Sequence, residues 1–206
     1  MMKGSLVLVE NNEKDFFPKA IKFFTGKIAK KYGVPSYTHA MFITLPFDNI
    51  ISVQSAEFAQ CIMPLEKFNT KTIRYDVYEI KDEIEEEELI LLLKQMYLTA
   101  GNPYGFFQNL WFVYRYFAEL IGFDVRKQKN WFPTHDICSE AVYRFLRKRV
   151  IKNIENRPKR NIYKYLLKLI DEWTENTVHP VDLGYIVKRF PNIFKKVYSW
   201  NALETR

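Results

Sequence analysis

The sequence predicts an α+β domain in which a small antiparallel sheet packs against helices. Three observations carry that expectation. Short β-prone runs gather around turn signals between Ser5 and Ile80, apolar residues recur at helical spacing further on, and Thr134-His135-Asp136-Ile137-Cys138-Ser139-Glu140 reads as a polar cap opening a helix.

Taken in order, residues 5–9 form a β-prone run. Residues 16–31 follow with Ala20, Ile21, Phe24 and Ile28 on one helical face. Gly33, Pro35 and Ser36 punctuate the chain, and the runs 39–45 and 50–55 flank Pro46-Phe47-Asp48-Asn49, a hairpin signal. A short run at 61–63 leads to Pro64, and 73–80 alternates imperfectly, so a sheet of four or five strands is expected. Residues 83–99 read as a helix through Leu89, Leu92, Leu93, Met96 and Tyr97. The Glu85 to Glu88 block belongs near its start, where the helix dipole favours anions. Gly101-Asn102-Pro103 closes that element, and an aromatic-rich helix is expected over 104–121. The cysteine helix carries Ala141, Val142, Phe145 and Leu146 as its apolar stripe. Past Asn156-Arg157-Pro158, helical patterns recur at 162–173 and 181–189, and Trp200 is placed in a short tail. The expectation is one domain over 1–206, with 150–206 a helical extension packed on it.

Composition narrows the function classes. A 206-residue chain with 48% hydrophobic residues has a sizeable core, and 17% aromatic residues with only 7 glycines argue against disorder and against a Gly-rich phosphate loop. Two cysteines, Cys61 and Cys138, offer neither a disulfide framework nor a paired-cysteine zinc site, which suits a reducing compartment. Residues 1–10 lack the pattern of a signal peptide, and the longest apolar stretch, 106–123, is broken by Gln108, Asn109, Arg115 and Glu119. A cytoplasmic or phage-encoded protein without a transmembrane segment is expected. Residues 138–206 hold 15 Lys and Arg against 7 Asp and Glu, while the rest is close to neutral. That basic third could meet an anionic surface, or be a solvated set of helix ends.

Cys138 falls at the first or second helical position, where unpaired backbone N–H groups and the helix dipole favour a thiolate; the plainer alternative is a buried cysteine acting as a small hydrophobe. A nucleophile needs a base, and three histidines are present. His135 would have to fold back across the cap, and His179 reads as a surface turn residue. His39 opens a strand that could hold an imidazole against the helix start.

A histidine strand, Tyr37-Thr38-His39-Ala40-Met41-Phe42-Ile43, is followed by Val53-Gln54-Ser55-Ala56-Glu57 and Pro64-Leu65-Glu66-Lys67-Phe68. Then come Gly101-Asn102-Pro103-Tyr104-Gly105, Ile137-Cys138-Ser139-Glu140-Ala141-Val142 and His179-Pro180-Val181-Asp182-Leu183. This succession resembles the circularly permuted NlpC/P60 (papain-like) family, including its lecithin-retinol acyltransferase-like branch. Gly105 stands where that family usually has Asp, and His179 where it has Thr. The resemblance implies a permuted papain-like fold, Cys138 as nucleophile, His39 as general base, and an orienting residue from the next strand, Gln54 or Glu57. Gln54 is favoured because the acyltransferase-like branches carry a polar residue two positions before the strand's small residue, here Ala56. Tyr104 and Ser139 are the implied substrate-binding residues. The implied chemistry is cleavage or transfer at a peptide or lipid amide or ester through a thioester, with no cofactor and no metal. Two other classes stay open: a papain-like binding module without turnover, and a nucleic-acid binder acting through the basic third, for which no motif speaks.

Overall fold

A computed structural model describes residues 3–11, 16–44, 52–56, 60–81, 84–97, 111, 114, 115, 117–119, 121–125, 128, 138–173 and 177–201. The chain is α+β. In order, it forms β1 (Leu6–Asn11), α1 (Phe16–Tyr32), β2 (His39–Ile43), β3 (Ser52–Ala56), β4 (Gln60–Pro64), a 3-10 turn (Leu65–Phe68) and β5 (Ile73–Ile80). It continues with α2 (Glu86–Tyr97), α3 (Cys138–Asn156), α4 (Asn161–Ile170), α5 (Pro180–Arg189) and β6 (Phe194–Asn201). The strands make one sheet in the order β4-β3-β2-β1-β5-β6, antiparallel throughout.

β1 is central and buried on both faces, which is why Leu6 to Val9 form a continuous apolar run without alternation. Period-two geometry sends Leu6, Leu8, Ala40 and Phe42 to one face, where they meet Ala141, Val142 and Phe145 of α3. The Phe42 and Phe145 rings stack at 4.6 Å between centroids. Val7, Val9, Met41, Ile43, Val53 and Val77 point the other way, into a second core closed by Leu65 and Phe68 of the 3-10 turn. The sheet therefore has a helix-bearing face and a turn-covered face.

Two expectations are corrected. Among the described residues the sheet has six strands, because the tail around Trp200 is β6, paired with β5 along its length. Residues 150–206 are consequently not a helical extension alone. Their helices supply Tyr163, Leu166, Ile170, Leu183 and Ile186 to the same core as β1 and β2, and β6 completes the sheet. Of the helix expected at 104–121, the described residues 111, 114, 115 and 117–119 are helical, with Trp111, Arg115 and Ala118 buried; 104–110, 112, 113, 116 and 120 lie outside the described residues. Glu86, Glu87 and Glu88 occupy the first turn of α2, with Lys3 bridging to Glu86 at 2.8 Å. No described helix is long and apolar enough to cross a membrane.

Candidate active site around Cys138

Cys138 is the first residue of α3, where that helix meets β2. It is buried, 4% exposed. Burial pushes the thiol up to about 11, against the opposing pull of backbone hydrogen bonds from Ala40, Ser139 and Cys138 itself; the nearby Glu140 charge adds to the rise. The helix start does draw the sulfur toward its ionised form, but desolvation outweighs that pull and leaves a neutral thiol. The capping residues Thr134 and Asp136, and His135, lie outside the described residues.

His39 pairs with Val9 in register, on the face of Met41 and Ile43, and its ring lies 6.2 Å from that of Phe68. The Cys138 thiol accepts from the backbone amide of Ala40, the next residue of β2. β2 thus brings the thiol within one residue of His39 along the strand. Burial lowers the imidazole to about 4, so it is a neutral base near pH 7. Gln54 pairs with Phe42 in β3, and its side chain lies outside the described residues, as do Glu57 and Tyr104.

Ser139, expected to touch substrate, is wholly buried, and its hydroxyl donates to the Val178 carbonyl at 2.7 Å. It anchors the start of α3 to the segment entering α5. His179, expected at the surface, is buried at 7% exposure and caps α5: its Nδ1 accepts from the Val181 amide at 3.3 Å, and Asp182 accepts from the His179 amide at 2.8 Å. Burial lowers the His179 imidazole to about 3; the Asp182 charge works against this and the Arg115 charge with it. Arg115 reaches Asp182 through two nitrogens at 2.6 and 2.9 Å, donates to the Thr177 carbonyl at 2.8 Å and pairs with Glu119 at 2.7 Å. This buried fork ties the helical residues of 111–119 to the capped start of α5. The spacing of His179, Pro180 and Asp182 is a capping-box pattern legible in the sequence; the partner, Arg115, is 67 residues away and is not.

The basic third is not one cationic face. Arg149 is 3% exposed and donates to the Gly4 and Ile80 carbonyls, Arg147 pairs with Asp171 at 2.9 Å, and Lys152 with Glu155 at 2.9 Å. Among the described residues, no group of three or more His, Cys, Asp and Glu is assembled as a metal site would need. The chain matches no family model, no curated protein and no solved structure with which it was compared.

Proposed function

We propose that the chain is a cysteine hydrolase or acyltransferase with a permuted papain-like fold, acting on a peptide or lipid amide or ester through Cys138. The observation that supports this reading is the seat of the sulfur: the first residue of α3, held by backbone hydrogen bonds, one residue along β2 from His39. The Cys138 sulfur attacks the acyl carbon, the bond to nitrogen or oxygen breaks, and the thiol proton passes to the leaving amine or alcohol. Water, or an acceptor amine or alcohol, then cleaves the thioester and restores the thiol. Both groups rest neutral, so turnover requires the thiol proton to pass to the His39 imidazole as the sulfur attacks.

A second reading, a binding module that keeps the architecture without turnover, draws on the buried, neutral state of the Cys138 thiol. One experiment separates the two. The protein is incubated with a p-nitrophenyl acyl ester and with acyl-lipid and peptidoglycan-peptide panels, and the intact mass and the Cys138 peptide are followed. The enzyme reading expects an acyl increment on Cys138, lost in Cys138→Ser and slowed in His39→Asn. A folded protein that acquires no increment from any panel member supports the module instead.

A further inference from the structure

Away from Cys138, a cleft of about 530 Å³ opens between the turn after α1, the end of α5 and the β5–β6 edge of the sheet. Its apolar walls are Val34, Pro35, Val187 and Phe194. Tyr37 and Tyr78 line it as well, their hydroxyls 3.2 Å apart, and Tyr37 donates to the buried Asp76 carboxylate at 2.8 Å. Three lysines, Lys188, Lys195 and Lys196, complete the lining, and no carboxylate is among the residues that line it.

Each lysine is held differently. Gly33 has φ +64, and a Cβ there would stand 2.5 Å from the Lys188 ammonium. The left-handed backbone there suits glycine, and the Lys188 ammonium packed against it donates to the Tyr32 and Gly33 carbonyls at 3.0 Å each and so keeps one of its three donors for a ligand. Lys196 gives one donor to Asp76 at 3.0 Å. It reaches that face because β6 is irregular: the register shifts between Val77 and Tyr78, so Tyr78 pairs with Lys196 and the intervening Val197 packs against the opposite core. A bulge of this kind re-aims a side chain, and bulges recur beside functional sites. Burial alone would raise the Asp76 carboxyl, but hydrogen bonds from Ser199, Lys196 and Tyr37 hold it below the usual range. Its charge is thus engaged by Lys196 behind the cleft, and Lys195 stands across from Glu79 on β5, while Lys188, held by backbone carbonyls, brings its positive charge to the cleft without a carboxylate beside it in the lining.

We propose that this cleft binds a small organic anion, its phosphate or carboxylate between Lys188, Lys195 and Lys196 and its apolar body against Val34, Pro35, Val187 and Phe194. A volume of this size suits a small-molecule site lined by apolar groups and a few polar ones. The proposal uses no group of the Cys138 site and is independent of the reading given for it.

Calorimetric titration of the full chain with phenyl phosphate, benzoate, inorganic phosphate and benzyl alcohol tests it. Saturable binding of phenyl phosphate or of benzoate is expected, and which of the two binds tighter identifies the head group. Inorganic phosphate and benzyl alcohol should each bind at least about tenfold more weakly, since each lacks one half of the recognised ligand. Lys195→Glu, an exposed substitution on an edge strand, should weaken binding about tenfold or more, Lys195→Arg should retain it, and Val34→Trp should block it by filling the cleft. Circular dichroism establishes that each variant is folded. The proposal is overturned if neither aromatic anion binds saturably, if benzyl alcohol or inorganic phosphate matches them, or if Lys195→Glu leaves affinity unchanged.

Discussion

At the scale of single residues, Cys138 shows two forces acting on one thiol. The helix start and its backbone donors favour the thiolate, whereas the buried setting penalises charge and carries the group to about 11. Cys61, half-buried in β4, is the internal comparison. At pH 7, iodoacetamide is expected to label Cys61 faster than Cys138, with Cys138 labelling climbing as pH approaches its value; peptide mass spectrometry reads both sites in one sample. Faster labelling of Cys138 at pH 7 would show an ionised, open thiol. Gly184 is a second residue-scale case. A Cβ placed there would lie 2.8 Å from the Tyr37 ring, and both partners sit inside packed structure. Gly184→Ala is therefore expected to destabilise by about 1–3 kcal/mol, read from the urea midpoint, despite the better helix propensity of alanine. The prominence of Cys138 and His39 was legible in the sequence. The face that His39 takes follows from the pairing of β2 with β1, in which Val9 stands across from it, and the residues of β2 alone do not reveal that pairing.

At the scale of elements, strands β1 to β5 and the five long helices were legible because each carries its own period or punctuation. β6 was not. It is an edge strand whose Lys195 and Lys196 face solvent, and its bulge breaks the alternation that would mark Phe194–Asn201 as β. The same limit affected the basic third, where Arg147, Lys148 and Arg149 look alike as sequence but only Arg149 is interior. It joins α3 to the turn two residues before β1 and to the end of β5 through the Gly4 and Ile80 carbonyls at 2.7 and 3.2 Å. Arg149→Gln is expected to cost about 2–4 kcal/mol, since it removes hydrogen bonds from buried carbonyls and empties packed space. Arg147→Gln, at a half-exposed pair with Asp171, should cost less than about 1 kcal/mol. A triple change of Arg147, Lys148 and Arg149 to Gln should unfold earlier because of Arg149 alone. Equal urea midpoints for the two single variants would remove that distinction.

At the scale of the whole molecule, the half-buried imidazole of His39, above the turn-covered core, and the buried one of His179, at the cap of α5, lie in different parts of the fold, and both favour the neutral form. Their values fall to about 4 and about 3, while an unfolded chain titrates histidine near 6.5. Between those limits the unfolded state holds more protons than the native one, so stability rises with pH across that window and is lost as pH falls below about 6.5. Each histidine contributes a slope of about 1.4 kcal/mol per pH unit once the unfolded state is protonated and the native state is not. Asp76, whose carboxyl is held low by its hydrogen bonds, adds a loss of the same sign below about 4. Urea unfolding at pH 7.5, 6.5, 5.5 and 4.5 should give a midpoint that is level at the top and then falls steadily. His179→Asn keeps a capping side chain but cannot take up a proton, so its midpoint should fall about half as steeply over the same range. A wild-type midpoint unchanged from pH 7.5 to 4.5 would mean that the native protein protonates these imidazoles as readily as the unfolded chain does, and that neither ring is desolvated as the structure has it.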